Sequence, residues 1–225
     1  MSLLIGHVVL LIALRLGEPF VKFVRDLFNL IIHSTFNFSF VTFTVKGNNV
    51  FDRDRPIIIV SNHQSMIDIP FIGWVFRRNN PKFVAKVELS KGAPYVSLSL
   101  RNGAGVLIDR KSPSQAVNAL EQYAKIISQN NSSICIFPEG TRARDGKIKP
   151  FKGTGLKVLL RAMPNALIVP IAIDRSWELV RYKMFPVPFG IRVRMKIFPS
   201  IEPKTQEPEV IIKKIEALIR EEIRI

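Results

Sequence analysis

Acidic residues, histidines and cysteine are the scarce groups of this chain, and each scarcity excludes something. A single cysteine among 225 residues rules out an intrachain disulfide and points to a reducing compartment. That residue, Cys135, lies in the apolar run Ile134-Cys135-Ile136-Phe137, which suits packing better than chemistry. The three histidines, His7, His33 and His63, are far apart and lack metal-ligand spacing, so no metal site is expected. No G-x-S-x-G occurs, and Ser65 stands only two residues from His63, a poor geometry for a hydrolase triad. Zinc-finger spacing, an RNA-binding aromatic motif and a basic leucine-zipper pattern are all missing. So are a linker-like stretch and an internal repeat, which favours one substantial core.

The shortage of acid is the most informative. Against 18 Asp and Glu stand 33 Lys and Arg, a formal net charge of +15. Such a surface is either simply solvated or matched by nucleic acid, anionic lipid or a phosphorylated substrate. A mean hydropathy of +0.17 is high for a nucleic-acid binder and ordinary for a protein resting on a membrane. Long apolar runs are lacking too. Residues 1–14 carry no charge, but crossing a bilayer takes about 20 apolar residues. A basic leader and a clean cleavage site are absent, so a signal peptide is a poor reading.

After the breaker Gly17-Glu18-Pro19, Phe20, Phe23, Val24, Leu27 and Ile31 recur at helical spacing, with Lys22, Arg25, Asp26 and Asn29 on the other side. The polar Asn29, His33, Ser34, Thr35 and Asn37 argue against a span in this second segment. Residues 1–36 are therefore expected to form a two-helix hairpin lying in one leaflet, the competing reading being a hairpin that only covers the core. Residues 37–225 are expected to form an α/β domain. Strand patterns fall at 41–45, 57–61, 83–86, 104–108, 133–137, 167–173 and 191–198, and helical patterns at 112–127, 155–163 and 208–224. Ser112, Pro113 and Gln115 read as an N-cap, first helical residue and capping-box partner. Alternating strands and helices predict a mostly parallel sheet flanked by helices.

Three blocks carry chemistry. Ser61-Asn62-His63-Gln64-Ser65-Met66-Ile67-Asp68 follows an apolar strand, where catalytic groups of parallel sheets tend to sit. On one continuous helix His63 and Asp68 would be about 140° apart, so they meet only if the chain turns between them. If they do, Asp68 fixes the tautomer of His63 and improves it as a base. In Gly103-Ala104-Gly105-Val106-Leu107-Ile108-Asp109-Arg110, Arg110 could clamp a phosphate or form a surface pair with Asp109; the third glycine of a dinucleotide fingerprint is missing. Phe137-Pro138-Glu139-Gly140-Thr141-Arg142 brings a carboxylate, a glycine, a hydroxyl and a guanidinium to one turn after a strand, able to face a polyol phosphate. Lys147, Lys149 and Lys152 follow, either extending that patch beside glycines at a helix start or forming an exposed basic loop.

Together with Val169-Pro170-Ile171, and with Ala85-Lys86-Val87-Glu88-Leu89 between the first two blocks, these motifs resemble the 1-acylglycerol-3-phosphate acyltransferase family of the glycerolipid H-x4-D acyltransferases. The similarity covers residues 56–174. It implies the glycerolipid acyltransferase fold, acyl transfer without metal, cofactor or covalent acyl-enzyme, and a thioester of acyl-carrier protein or coenzyme A as co-substrate. The acceptor it implies is the sn-2 hydroxyl of 1-acylglycerol 3-phosphate, giving phosphatidate in phospholipid biosynthesis. Glycerol 3-phosphate or another lysolipid is the nearest alternative, and a non-catalytic module binding anionic lipid is the alternative from another class. On this reading His63 is the general base and Asp68 its orienting partner. Arg110 and Arg142, with Lys152, hold the phosphate, and Glu139, Gly140 and Thr141 shape the glycerol end. The expected partners are lysophosphatidate, the thioester donor and the membrane surface, not nucleic acid. The protein is expected to be monotopic, its active site facing the cytoplasm.

Overall fold

The computed structural model describes residues 2–48, 50–183, 185–203 and 206–223. Met1 of the expected hairpin and Arg224 of the expected last helix lie outside them. In chain order the elements are α1 (Ser2–Leu16), α2 (Glu18–Thr35), β1 (Thr42–Lys46), β2 (Ile57–Ser61), α3 (Asp68–Val75), β3 (Pro81–Lys86), α4 (Pro94–Ser99), β4 (Gly105–Ile108), α5 (Pro113–Gln129), β5 (Ser133–Ile136), α6 (Gly153–Ala162), β6 (Leu167–Asp174), β7 (Arg192–Ile197) and α7 (Pro208–Glu222).

The seven strands form one sheet in the order β1-β7-β6-β2-β5-β3-β4. From β6 to β4 every pairing is parallel, while β7 runs antiparallel to β6 and carries β1 parallel to itself. The run Ile57-Ile58-Ile59-Val60-Ser61 is buried throughout, as a central parallel strand requires. Its alternation divides the core. Ile58 and Val60 face α5, α6 and α7, packing with Leu120, Leu156 and Ile215. Ile57 and Ile59 face α3, packing with Phe71, Ile72 and Val193. Gly105 opens β4 where a Cβ would sit 2.0 Å from the Phe83 carbonyl oxygen, so strand approach accounts for that glycine. At the start of α5, Ser112 is the N-cap but makes no side-chain cap bond. The Gln115 amide oxygen takes the Asp109 N–H instead at 2.9 Å, because the Ser112 N–H is already directed to the Asp109 carbonyl.

The N-terminal hairpin is present and tightly turned: Gly17 alone separates the two helices, at φ 102°, a conformation natural to glycine. Its packing differs from a simple amphipathic pattern. Val21, Val24 and Phe28 of α2 join Leu10 and Ala13 of α1 against Tyr95 of α4, with the Phe28 and Tyr95 rings stacked at 3.7 Å. At Gly73 of α3 a Cβ would fall 2.4 Å from the Asn29 amide nitrogen, so α2 lies directly on the helix that begins at Asp68. Phe20, Phe23, Leu27 and Ile31 point outward and are exposed, whereas Lys22, Arg25 and Asp26 are half-buried at the domain edge. The expected apolar stripe is thus split: Val24 covers the core and the rest faces outward. Among the described residues no helix is long and apolar enough to cross a membrane.

Candidate active site

The site is built at the carboxyl end of β2, between β5 and β6. The β2–β6 ladder ends at Ser61 opposite Ile171. Asn62 continues it with its side chain: the amide nitrogen donates to the Ile173 carbonyl and the amide oxygen accepts the Ile173 N–H, both at 2.8 Å. This clamp releases the backbone from the sheet while holding it in place, so that His63 projects from a fixed point.

The chain then turns and enters α3 at Asp68, bringing the His63 Nδ1 to 2.8 Å from Asp68 Oδ2. That oxygen also accepts the N–H groups of Gln64 at 2.7 Å and Ser65 at 2.9 Å. Asp68 Oδ1 accepts the hydroxyls of Ser176 and, more weakly, Ser65. With Asp68 acting only as acceptor, the hydrogen-bond network assigns the ring proton to Nδ1 and leaves the Nε2 lone pair available. Asp68 is fully buried, while the His63 side chain keeps 15% of its surface exposed. The imidazole stacks on Phe137, with centroids 4.0 Å apart and planes at 19°. One ring edge is therefore tied to a carboxylate and one face to an aromatic wall.

The turn after β5 is strapped to the same histidine. Glu139 is buried; its Oε1 accepts the His63 N–H at 2.7 Å and its Oε2 the Lys149 N–H at 2.8 Å. Burial raises the carboxyl pKa, opposed by those two backbone donors, Lys149's and then His63's. The sequence suggested a carboxylate facing a polyol. Its oxygens instead bind two loops together, so Glu139 shapes the site from behind. The Ala143 N–H donates to the His63 carbonyl at 2.7 Å, and the Lys152 N–H closes the loop on the Pro138 carbonyl at 2.8 Å. From outside, the Arg220 guanidinium on α7 holds the Ile148 carbonyl at 3.0 Å.

The cationic residues expected to hold phosphate are brought to this turn from separate elements. Gly140 adopts φ 71°, the left-handed region, and its carbonyl accepts the Arg110 guanidinium, which arrives from the end of β4. Burial lowers the Arg110 pKa, and nearby Glu88 opposes that shift. The Lys152 side chain runs alongside, its Cδ 3.7 Å from where a Gly140 Cβ would be. Lys149 Nζ bonds the Thr141 hydroxyl and the Arg142 carbonyl, each at 2.9 Å. Among the described residues the Arg142 guanidinium has no hydrogen bond or ion pair. Of the glycines at the start of α6, Gly155 is required by packing: its Cβ would meet Ile136 Cδ1 at 2.9 Å.

Sequence reasoning assigned no role to Gln64 or Ser176. The Gln64 amide oxygen accepts the Ser176 N–H at 3.1 Å, fixing the serine beside Asp68. A lone serine just past a recognised strand offers no local signal for such a position. Cys135, the residue expected only to pack, is fully buried, and burial above all, with Asp68 nearby, holds its thiol well above the usual range.

A family model described as Acyltransferase matches residues 42–174. The 1-acyl-sn-glycerol-3-phosphate acyltransferase of Helicobacter pylori is 33% identical over 157 residues, 67% of this chain and 62% of that protein. The enzyme of the same name from Cocos nucifera is 29% identical over 180 residues, 78% of this chain and 54% of that protein. The chain spans about half the length of such plant relatives, 48% of the one from Limnanthes douglasii. The crystal structure of the 1-acyl-sn-glycerophosphate (LPA) acyltransferase PlsC from Thermotoga maritima matches with a TM-score of 0.73 at 27% identity, covering 91% of this chain and 79% of that one.

Proposed function

The chain belongs to the acyltransferase family, and from that premise we propose that it moves a fatty acyl group from an acyl thioester to the sn-2 hydroxyl of 1-acylglycerol 3-phosphate, forming phosphatidate. The observation that carries this reading is the buried Asp68 bonded to His63 Nδ1, with Nε2 left available beside a cation-lined turn. His63 Nε2 accepts the acceptor hydroxyl proton as that oxygen attacks the thioester carbonyl. The tetrahedral intermediate collapses with cleavage of the C–S bond, and the departing thiolate takes the proton back from His63. Asp68 holds the ring and stabilises its transient positive charge. No protein nucleophile is needed, and Cys135 and Ser65 are both buried.

Arg110, Arg142 and Lys152 bind the acceptor phosphate, and the Gly140–Thr141 turn, held by Glu139, receives the glycerol. The donor is a thioester of acyl-carrier protein or coenzyme A. Residues 1–36 sit in one leaflet, with the active site on the cytoplasmic side. The outward stripe Phe20, Phe23, Leu27 and Ile31 supports that placement, because lifting a lipid acceptor into water costs about 0.8 kcal/mol for each CH₂.

The test is turnover by purified protein in detergent, with lysophosphatidate, glycerol 3-phosphate and other lysolipids as acceptors, both donor types, and mass spectrometry of products. Phosphatidate from lysophosphatidate is expected. General-base assistance is worth roughly 10²–10⁴ in rate, so a folded His63→Ala variant should lose most turnover. Full activity in that variant would sink the proposal. Binding of lipid without any thioester turnover would identify a lipid-binding module instead.

A further inference from the structure

A second exposed apolar surface adjoins the hairpin. Along α2 the exposed positions Phe20, Phe23, Leu27, Ile31 and Thr35 recur every three or four residues, and Phe38 continues them in the short turn that follows. Phe38 is 89% exposed. Two residues on, the Phe40 ring meets that of Phe189 at 4.8 Å, and the Gly190 N–H donates to the Ser39 carbonyl at 2.9 Å. The outward stripe therefore runs directly into the segment between β6 and β7. There Phe185 is 87% and Phe189 71% exposed, and the Phe185 N–H donates to the carbonyl of the exposed Tyr182 at 3.2 Å. Large exposed aromatic rings concentrated on one short segment and on the turn bonded to it mark a surface that something covers.

Charge identifies the occupant. Arg181 and Lys183 flank Tyr182, and the Arg181 guanidinium lies over the Tyr182 ring at 5.0 Å and the Trp177 ring at 5.9 Å. Among the described residues neither cation has a carboxylate partner, on a chain of net charge +15. Rings at the tip with long cationic side chains around them suit a lipid surface, where the rings enter the headgroup region and the cations meet anionic headgroups. We propose that Tyr182, Phe185 and Phe189, with Phe38 and Phe40, form a second membrane-contact element that seats on an anionic leaflet beside the hairpin. The inference rests on the membrane reading of the hairpin and extends it to a part of the chain far from the N-terminus. It also gives that element a link to the chemistry: Ser176, bonded to Asp68, opens the turn Ser176–Val180 that delivers Arg181 and Tyr182.

Cys135 makes the test clean, since the one native thiol is fully buried and unreactive. An environment-sensitive fluorophore is attached in full-length protein to Phe189→Cys, to Phe23→Cys on the hairpin, or to the remote exposed position Asn131→Cys, and phosphatidylcholine vesicles with or without phosphatidylglycerol are added. A blue shift at 189 and at 23, larger with phosphatidylglycerol, and none at 131 is the expected result. A shift at 23 with none at 189 overturns the second element while the hairpin reading stands. A shift at 189 alone overturns the hairpin reading and leaves the second element. No shift at either overturns both. A shift at 189 that follows protein concentration rather than lipid makes the surface a subunit interface and overturns the inference. In the unlabelled protein, Phe185→Ser with Phe189→Ser should weaken vesicle binding about tenfold or more, with the unfolding temperature unchanged.

Discussion

Asp68 accepts hydrogen bonds on both oxygens, and among the described residues only one donor comes from outside the H-x4-D block. That donor, Ser176, is 1% exposed and touches no surface a substrate could reach. Its hydroxyl bonds Asp68 Oδ1 while His63 bonds Oδ2, which makes it a positioning residue. A hydrogen bond to a charged group is worth about 1.5–3 kcal/mol, so Ser176→Ala should lower kcat roughly tenfold or more while leaving both KM values in place. A serine that only packed would instead lower the unfolding temperature and spare kcat in the folded protein. In the proposed function Arg110 holds the acceptor phosphate. Removing its guanidinium should raise the acceptor KM by about ten- to a hundredfold, the range expected for a charged hydrogen bond. Steady-state kinetics with each substrate varied in turn checks this. A change confined to the donor KM would move the phosphate pocket elsewhere.

The element that needs most explanation is α2. An isolated amphipathic helix on a soluble domain turns its apolar face inward, yet here apolar residues occupy two faces and charged ones are half-buried between them. Val21, Val24 and Phe28 grip α1 and α4, while Phe20, Phe23, Leu27 and Ile31 stay in the open. The two faces should respond differently to the same chemistry. Phe23→Ser with Leu27→Ser should release the protein from vesicles and leave its unfolding temperature nearly unchanged. Phe28→Ala should lower thermal stability, by about 3–5 kcal/mol if the site cannot collapse, measured by thermal unfolding in detergent. Equal losses of stability from both faces would show that the outer stripe is covered by protein. Deleting residues 1–36 is a blunter probe, because it also uncovers Tyr95 of α4 and the surface of α3 around Gly73.

At the scale of the whole molecule, the hairpin and the sheet are joined through a buried charge. Lys82 on β3 is 6% exposed, its Nζ 3.6 Å from Glu18 of α2. Burial, with Arg25 and then Lys22 beside it, lowers its pKa to about 8 against the upward pull of Glu18. The unfolded chain holds that proton up to about pH 10.4, so between roughly pH 8 and 10 it binds more protons than the fold does, and stability rises with pH. Above about pH 10 unfolded tyrosines release protons that the fold retains. Burial pushes Tyr123 up to about 12 and Tyr95 further still. Stability should therefore fall again there. Unfolding by urea at fixed pH values should show the rise, on the order of 1–3 kcal/mol, and Lys82→Met should flatten it. A parallel rise in that variant would mean another group is responsible.

The local pattern of residues was enough to mark the strands, the hairpin break at Gly17 and the H-x4-D pair. Each of these rests on a short-range rule: backbone permissiveness at a glycine, a short apolar run as in Ile57–Ser61, or a carboxylate five residues from an imidazole. Sequence order could not say that Glu139 would turn inward, because its two partners, the N–H groups of His63 and Lys149, come from loops that only the sheet brings together. Nor could it pick Ser176, which reaches Asp68 across 108 positions because β6 pairs with β2. The outward direction of Phe23 is likewise fixed by packing, since Val24 and Phe28 of the same helix were needed against α1 and α4. Periodicity specifies which residues share a face, but the fold decides which face is spent on the core and which is left for another surface.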